Sequence, residues 1–406
     1  MSFFSKPLSG KRLMVIGSVW SPEPLVAAAK ELGCWVLATH YGRNPEKITA
    51  DEARALYPKD IAAAVKLFKQ YRIEGVIHDS DDDALFAAGI LCNKFDLPGP
   101  SLNAVVASTN KKRLRATWED LLKNKIRQPP YYTGSTLNDI YIGVERVGNL
   151  PAVVKPIDGQ WGRGVSKVET EDRLQEAYFE ALTYSPSREF IIEKFVPGRV
   201  IIVDSFSFDR ETHISLAIAS KRIWPGGELL TAGLVYPAEI DSDLYQEAFA
   251  QHKLATRTLH YDFGLSHSEF IVDENKNFWL LESTNRGSGY FISSLLLPAL
   301  TGLELRKQLV GMAFGKIFPQ DLGENLFNKH AAVFSNIWFN AGRVKAINGV
   351  KEACSIPRVL SCKLFFGEGE TIPAGRYGSA IIVGDTPDQV KQIEQRVRQL
   401  VQIEYF

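Results

Sequence analysis

The first hundred residues alternate short apolar runs with segments of helical periodicity, and this alternation is the feature that most limits the fold. Three strand-like runs and three helical segments follow one another, at 12–17, 23–32, 35–38, 61–71, 75–78 and 83–95. Successive parallel strands need a crossover connection, which is usually a helix. We therefore predict an N-terminal α/β domain, residues 1–105, built on a parallel sheet.

The pattern changes at Pro151, where β-rich runs with hairpin punctuation replace the alternation. The predicted strands of this part are 152–155, 189–195, 200–208, 215–220 and the hairpin runs between 269 and 282. They indicate a mainly antiparallel α+β unit. The last ninety residues mix strands at 332–338 and 379–383 with a closing helix at 387–401.

Charge and cysteine content exclude several classes of protein. The 47 basic residues balance the 47 acidic residues, so no net charge recruits nucleic acid or an anionic membrane. The 4 cysteines are too scattered for a disulfide framework, and none forms a C-x-x-C pair suited to zinc. Neither a signal-peptide core nor a long uncharged apolar run is present. We expect a cytoplasmic protein with no nucleic-acid and no membrane partner.

The segment 268–283 has two apolar β-rich runs around a polar turn and predicts a hairpin. If the turn has two or four residues, symmetric pairing places Glu269 directly opposite Glu282. Like charges opposed on a sheet repel each other, so this pair favours a cation between them. Oxygen ligands without a nearby cysteine favour Mg²⁺ or Mn²⁺ over zinc. The alternative interpretation is an exposed hairpin with two solvated glutamates.

A glycine-rich loop follows the predicted strand 152–155, which ends in Lys155. Gly159, Gly162 and Gly164 allow backbone N–H groups to approach a polyphosphate, and Lys155 adds a positive charge. The loop is not a Walker A motif, because Val165 stands where that motif needs its lysine. A glycine-rich hairpin turn is the alternative interpretation.

Taken in order, these segments are similar to the ATP-grasp superfamily from about Lys111 to Arg286. The segments that carry the resemblance are Asn110-Lys111 with Arg115, Val153–Pro156 with its glycine loop, Ile191–Gly198, Glu269 and Glu282–Arg286. The resemblance implies an α/β and α+β protein with the ATP-grasp fold. It implies a Rossmann-like parallel-sheet domain at 1–105, an ATP-grasp domain at 106–310 and a C-terminal α+β extension at 311–406.

The resemblance also implies roles for individual residues. Lys111 and Lys155 would contact ATP phosphates under the loop of Gly159, Gly162 and Gly164. The adenine would lie against Glu193, Lys194, Phe195 and Val196, with Glu193 taking its amino group. Glu269 and Glu282 would hold Mg²⁺, with Mn²⁺ as a substitute, and Arg286 would lie near the transferred phosphoryl group.

Two positions depart from the superfamily pattern. Val200 occupies about the place where many relatives carry a ribose-binding acid, so the ribose contact has no assigned residue. Thr284 occupies the place of the usual asparagine two residues after the metal-binding glutamate. We include the next residue, Asn285, as a catalytic candidate in its stead.

The pattern Gly264-x-x-His267-x-Glu269 resembles that of ATP-grasp L-amino-acid ligases, which make dipeptides or related amides. On a strand, His267 shares a face with Glu269, so it is a catalytic candidate that would orient the acceptor or an acyl-phosphate. A histidine that only packs or caps is the alternative. The resemblance implies an enzyme that joins a small carboxylate to an amine and releases ADP and phosphate. Dimers are common in the family, so the resemblance allows a homodimer, but the sequence does not give the oligomeric state.

Other functions of the same fold remain open. A purine-biosynthetic or biotin-carboxylase-like enzyme shares the three-domain layout, a non-catalytic nucleotide-binding protein belongs to a different class, and a kinase would release a stable phosphorylated product.

Two shorter segments allow two interpretations each. Residues 224–228 form either a substrate-covering loop or a plain hairpin turn. The acidic residues of 79–83 either receive a cationic amine or cap the following helix, and capping is the interpretation we prefer.

Overall fold

The computed structural model describes residues 6–17, 22–41, 48–78, 80–122, 125–225, 229–319 and 330–406. Across those residues, no helix combines the length and the apolar character needed to span a bilayer.

The N-terminal region is a parallel sheet with helical crossovers, as the alternating pattern predicted. Its elements are β1 (Arg12–Ile16), α1 (Glu23–Glu31), β2 (Trp35–His40), β3 (Glu52–Ala55), α2 (Ile61–Gln70), β4 (Gly75–His78) and α3 (Asp82–Lys94). The strand order is β3-β2-β1-β4. The sequence did not predict β3, because this edge strand has the sequence Glu-Ala-Arg-Ala and lacks an apolar run.

A small antiparallel sheet follows two connecting helices. The elements are α4 (Leu102–Thr109), α5 (Lys111–Leu122), β5 (Tyr131–Gly134), α6 (Leu137–Arg146), β6 (Ala152–Pro156), β7 (Ser166–Val168), α7 (Leu174–Thr183) and β8 (Phe190–Lys194). Their strand order is β5-β8-β6-β7. The glycine loop connects β6 to β7, so it is a strand-to-strand loop and not the strand-to-helix loop of a Walker A motif.

The largest sheet has eight antiparallel strands and receives strands from two distant parts of the chain. Its first part comprises β9 (Arg199–Ser207), β10 (His213–Ile223), β11 (Thr231–Tyr236), α8 (Ser242–Thr258), β12 (Gly264–Val272) and β13 (Phe278–Thr284). A π-helical turn at Ile292–Leu296, α9 (Leu297–Thr301) and α10 (Leu305–Met312) then lead towards the C-terminal part.

The C-terminal part adds three strands to this sheet and forms a small sheet of its own. Its elements are β14 (Ala331–Phe339), β15 (Gly342–Asn348), α11 (Val350–Cys354), β16 (Val359–Leu364), β17 (Thr371–Ile372), β18 (Gly375–Gly384), α12 (Pro387–Leu400) and β19 (Gln402–Tyr405). The large sheet has the order β13-β12-β9-β10-β11-β14-β18-β16, and β17-β15-β19 form the small one. Because β11 pairs with β14, the large sheet crosses the predicted division at 310/311, and the domain boundaries stay predictions.

Two apolar cores lie on opposite faces of the large sheet. On one face, Phe206 packs in the core that includes Leu25 of α1, which fixes the N-terminal domain against the sheet. On the other face, Ile201 and Phe270 pack in the core that includes Phe249 of α8. Side chains of a strand alternate between its faces, so residues of β12 that are one position away from Phe270 point toward the N-terminal domain. Glu269 is one of these residues.

Candidate active site

The two predicted carboxylates face each other on β12 and β13, but the hairpin reaches this pairing in an unexpected way. Val272 pairs with Phe278, which leaves a five-residue connection where we had expected two or four residues. Continued without interruption, this register would pair Glu269 with Leu281. A β-bulge between the Phe270–Leu280 and Glu269–Glu282 pairs restores the predicted pairing. The expected turn length was therefore wrong, although the expected carboxylate pair is present.

The bulge also decides which face Glu282 occupies. Phe278 and Leu280 belong to the core on the α8 side, and strict alternation would place Glu282 on that same buried side. The extra residue, Leu281, changes the alternation, so Glu282 lies with Glu269 on the side of the N-terminal domain.

Each carboxylate is paired with a lysine from another element. Lys221 Nζ of β10 lies 3.0 and 2.9 Å from the two oxygens of Glu269. Lys111 Nζ, at the start of α5, lies 3.4 Å from Glu282 Oε1. Burial opposes the charge of Glu282, but Lys111, Arg286, Lys155 and Lys221 outweigh burial and lower its pKa to about 2. Burial likewise opposes the charge of Lys111, but Glu282 and Asp82 raise its pKa.

Lys155 belongs to a buried chain of charges that links the small sheet to the large one. Its Nζ lies 2.5 Å from Glu193 Oε2, and Glu193 Oε1 accepts hydrogen bonds from Arg115 at 2.6 and 2.8 Å. Arg115 also donates to the carbonyls of Leu280 and Leu281 at 2.7 and 3.0 Å, so it binds the backbone at the bulge. Burial opposes the charge of Glu193, but Arg115 and Lys155 lower its pKa.

The glycine loop is constrained at four positions of its backbone. Gly162 and Gly164 have φ angles of +72° and +71°, which favour glycine, and Trp161 between the loop's glycines has a φ of +63°. A Cβ atom at Gly159 would lie 2.4 Å from the side chain of Pro156. The carbonyl of Gly159 accepts a hydrogen bond of 3.2 Å from Lys111, which brings the loop to the carboxylate pair.

Arg286 reaches the N-terminal domain, where its Nε donates to Asp82 Oδ1. Asp81 accepts hydrogen bonds from the backbone of Asp83 and Ala84 at 3.0 and 3.1 Å, so the acidic segment caps α3 as we preferred. Asp82 does not act only in the cap. It pairs with Arg286 and lines the site. Asp79 lies outside the described residues.

His267 is held by a buried polar cluster. Its Nδ1 lies 2.8 Å from Asp204 Oδ1 and 2.6 Å from Ser288 Oγ, and Tyr236 donates to Asp204 Oδ2 at 3.1 Å. Its Nε2 lies 4.0 Å from Glu269 Oε1. The ring therefore presents Nε2 to the carboxylate pair while Asp204 fixes its orientation.

The carboxylate pair and the glycine loop line one cavity of about 450 Å³ between the small sheet, the large sheet and the N-terminal domain. The predicted site residues in its wall are Lys111, Lys155, Gly159, Gly162, Lys194, Phe195, Val196, His267, Glu269, Glu282 and Arg286. Val200, at the place of the missing ribose-binding acid, also lines it.

Three predicted site residues lie outside the cavity wall. Glu193 is buried behind Lys155, and Gly164 packs near Tyr184. Asn285 is buried, and its amide donates to the carbonyls of Phe263 and Leu265 at 3.0 and 2.9 Å. The geometry therefore favours a structural contribution of Asn285, and its catalytic role stays a prediction.

The cavity also contains residues that the sequence did not indicate. These are Lys221, Ser288 and Arg376, and Arg376 comes from the C-terminal part of the chain. A single lysine or arginine on an amphipathic strand is typical of any exposed sheet face, so no pattern distinguished Lys221 or Arg376. Trp224 stacks on Trp338 with ring centroids 4.6 Å apart, and residues 226–228 of the predicted loop lie outside the described residues.

The carboxylate pair fits a hard divalent ion such as Mg²⁺. Within the described residues, no group of three or more His, Cys, Asp and Glu side chains is placed to hold a metal. Glu269 and Glu282 would supply two carboxylates, and Mg²⁺ commonly takes one or two carboxylates beside phosphate oxygens and water. The lysine on each carboxylate supplies a positive charge at the same place.

A parallel-sheet domain, a small sheet with a glycine loop and a large sheet with a carboxylate pair together define the ATP-grasp fold. Comparison with known structures confirms this fold. The L-amino acid ligase from Bacillus licheniformis superimposes with a TM-score of 0.85 at 18% identity, covering 98% of this chain and 99% of that one. Residues 337–405 match the family described as L-amino acid ligase C-terminal domain 2. Both findings agree with the predicted resemblance.

Two further proteins that are similar to this chain are not named as L-amino acid ligases. The biotin carboxylase domain dimer of Hydrogenobacter thermophilus 2-oxoglutarate carboxylase, solved with MgADP, ADP and bicarbonate, has a TM-score of 0.74 at 16% identity, covering 96% of this chain and 90% of that one. The formate-dependent phosphoribosylglycinamide formyltransferase of Prochlorococcus marinus (strain MIT 9313) is 23% identical over 403 residues, which are 97% of this chain and 98% of the relative.

Proposed function

We propose that the protein is an ATP-dependent ligase that converts a small carboxylic acid into an acyl-phosphate and joins it to an amine, releasing ADP and phosphate. One observation carries this proposal. Three cations, Lys111, Lys155 and Arg286, meet two opposed carboxylates, Glu269 and Glu282, in one cavity beside a glycine loop. Such a set of charges suits the binding and transfer of a phosphoryl group.

We assign the nucleotide to the part of the cavity between the two antiparallel sheets. The glycine loop with Lys111 and Lys155 would bind the phosphates, and Phe195 and Val196 would contact the adenine. Both carboxylate oxygens of Glu193 already accept hydrogen bonds, Oε1 from Arg115 and Oε2 from Lys155. We therefore propose that Glu193 orients Lys155, and its contact with the adenine amino group stays a prediction.

Glu269 and Glu282 would hold Mg²⁺, or Mn²⁺ in its place, and the ion would neutralise charge on the β- and γ-phosphates. In the described structure, Lys221 forms an ion pair with Glu269 and Lys111 forms one with Glu282. When nucleotide binds, both lysines would turn to phosphate oxygens or to solvent.

The acid needs activation because a carboxylate oxygen is a poor leaving group. In the first step, a carboxylate oxygen of the acid bonds to the γ-phosphorus and the bond to ADP breaks, with Arg286 and Lys155 stabilising the transferred group. In the second step, the amine nitrogen bonds to the acyl carbon and phosphate leaves. His267, oriented by Asp204, would accept the proton of the amine at Nε2.

An isotope experiment tests this route. Pairs of amino acids and small carboxylates are screened for ADP release that needs both partners, and the product is identified by mass spectrometry. With ¹⁸O in the carboxylate of the acid, one labelled oxygen should appear in the released phosphate. Formation of AMP, or unlabelled phosphate beside confirmed product, would contradict the acyl-phosphate.

A second candidate substrate pair comes from the relatives that align over nearly the whole chain. They are named formate-dependent phosphoribosylglycinamide formyltransferases. The same two steps would then use formate as the acid and phosphoribosylglycinamide as the amine. Offering this pair in the ADP-release assay, next to the amino-acid pairs, decides between the two candidates.

A further inference from the structure

Five buried polar side chains form a hydrogen-bonded network on the α8 side of the large sheet. Ser266 of β12 is paired with Ser205 of β9, and their hydroxyl oxygens are 2.5 Å apart. Ser268 of β12 is paired with Ser283 of β13, and their hydroxyl oxygens are 2.7 Å apart. His252 of α8 bridges the two pairs, because its Nε2 lies 2.7 Å from Ser205 Oγ and its Nδ1 lies 2.8 Å from Ser268 Oγ. All five side chains are fully buried, and we call them the serine–histidine network.

Each serine of this network is adjacent in sequence to a polar residue that lines the cavity or orients His267. The adjacent pairs are Asp204-Ser205, Ser266-His267, Ser268-Glu269 and Glu282-Ser283. Side chains alternate between the two faces of a strand, so the network occupies the reverse face, directly behind these four polar groups. It therefore binds the same backbone segments that hold the polar groups of the site.

The network stands in an otherwise apolar core. Ile201, Val203 and Phe270 belong to the core on this face of the sheet, together with Phe249 of α8. A buried hydroxyl without a partner costs free energy, and apolar side chains would fill this face without that cost. A fully bonded polar network, in contrast, has directional bonds and favours one arrangement of the elements that it joins. The network is therefore suited to fixing β9, β12 and β13 relative to α8.

His252 bridges the two serine pairs as a neutral ring. Burial lowers the pKa of His252 well below its ordinary value of 6.5, and the nearby His213 and His267 lower it further. A neutral imidazole has one donor and one acceptor nitrogen, so it gives a hydrogen bond to one serine pair and accepts one from the other. A serine hydroxyl both donates and accepts, so all bonds of the network can form together without a buried charge.

We propose that His252 is a positioning residue of the active site. Through the serines of β12 and β13 it sets the spacing of Glu269 and Glu282, the proposed Mg²⁺ ligands. Through the serines of β9 and β12 it holds Asp204 next to His267. The inference rests on the ligase function proposed above, and His252 acts through the backbone of the three strands without touching substrate or metal.

A comparison of variants separates positioning from stability. His252→Leu leaves serine hydroxyls without their partner, so it should lower both the midpoint of urea unfolding and the turnover. A combined variant, His252→Leu with all four serines replaced by Ala, removes every polar group of the network at once. Because replacing both partners of a buried hydrogen bond can be nearly neutral, its unfolding midpoint should return toward the wild-type value. Its turnover should nevertheless stay at least tenfold below wild type, and its Mg²⁺ concentration for half-maximal ADP release should stay at least threefold higher.

Two single variants complete the comparison. His252→Gln should recover part of the turnover and of the Mg²⁺ dependence, because an amide also offers a donor and an acceptor to the two serine pairs. His260→Gln is the matched control and should behave as wild type, since His260 follows the same helix and its side chain is 43% exposed. Calorimetric binding of a non-hydrolysable ATP analogue at a series of Mg²⁺ concentrations repeats the comparison without turnover.

Two results would overturn the inference. If the combined variant regains wild-type turnover and Mg²⁺ dependence together with its stability, the network only fills the core. If His252→Leu is as stable and as active as wild type, His252 positions nothing. In the event that His252→Leu does not fold, the combined variant and His252→Gln decide the same question. Absence of ADP release from the wild-type protein with every acid and amine pair would contradict the ligase function instead, and the calorimetric comparison would still test the positioning of Glu269 and Glu282.

Discussion

Glu269 and Glu282 form an opposed pair of carboxylates in which each is neutralised by a lysine from a different element. Such a pair would repel without cations, and here Lys221 and Lys111 supply them. Under the proposed function, a ligand that brings its own divalent ion would take over this neutralisation and release both lysines. We infer that the two lysines offset the charge of the carboxylate pair before nucleotide binds.

Replacing Glu269 or Glu282 with Gln should leave the chain folded but lower turnover by about 100-fold or more, since an Mg²⁺ ligand is lost. The Mg²⁺ concentration for half-maximal ADP release should rise in both variants. Glu274→Gln, at an exposed position of the same hairpin turn, should behave as wild type. A double variant with a near wild-type rate at saturating Mg²⁺ would contradict the assignment of the metal site.

The low pKa of Glu282 predicts a specific loss of stability in acid. Its pKa falls from an ordinary value of 4.5 to about 2 in the folded chain. The unfolded chain binds the proton first, so the stabilisation by the ionised form is complete above pH 4.5 and declines as the pH falls toward 2. The difference in unfolding free energy between wild type and Glu282→Gln should therefore be constant at neutral pH and shrink below pH 4.5. Urea unfolding at a series of pH values measures it, and a pH-independent difference would refute the prediction.

At the scale of elements, the bulge in β13 and the side chain of Arg115 form one structural unit. The bulge moves Glu282 to the cavity face and leaves the carbonyls of Leu280 and Leu281 next to Arg115. Arg115 also contacts Glu193 of β8, so one buried guanidinium joins α5, the small sheet and the hairpin that carries the carboxylate pair. This arrangement fixes the small sheet against the hairpin of β12 and β13, and with it the two halves of the proposed nucleotide site.

Arg115→Ala should lower the unfolding free energy by about 3–5 kcal/mol, because Glu193 loses a buried partner and two carbonyls lose their donor. Arg173→Ala is a suitable control, since Arg173 pairs with Glu176 on the surface and should change stability by less than about 1 kcal/mol. Equal effects of the two substitutions in urea unfolding would argue against the role given to Arg115.

At the scale of the whole molecule, the C-terminal part completes the sheet that carries the site. β14 pairs with β11, and the apolar core on the outer side of this sheet contains Val235 from β11 together with residues of β14, β18 and α12. Arg376 and Phe334 of this part also line the cavity. The C-terminal part is therefore integral to both the fold and the site.

A chain that ends at residue 319 should accordingly fail to fold cooperatively. It would leave β11 as an unpaired edge strand and expose apolar residues, and such edges promote aggregation. Soluble yield, the cooperativity of thermal unfolding and binding of a non-hydrolysable ATP analogue measure the effect. A soluble, cooperatively folding chain that binds the analogue as wild type does would contradict this expectation.

The sequence by itself determined those parts of the protein that depend on local pattern. Three strands of the parallel sheet of residues 12–78 follow from alternating apolar runs, and the hairpin of β12 and β13 follows from two β-rich runs around a polar turn. The pairing of Glu269 with Glu282 was predicted, but it depends on a bulge that the sequence did not indicate. The order of the glycine loop, Lys155 and the Ile191–Gly198 segment likewise identified the ATP-grasp fold. All of these features lie within short stretches of chain.

Only the tertiary structure decided which distant residues meet at the site. The backbone at the bulge accepts a hydrogen bond from Arg115, which is 166 residues away from Leu281. Lys221, Asp82 and Arg376 reach the cavity from three separate elements. Asn285, although next to Arg286 in sequence, donates its amide to backbone carbonyls instead. Periodicity reports which face of an element is buried, whereas the partner of that face depends on how sheets and helices pack. Long-range charge pairing therefore left no pattern that a single sequence could reveal.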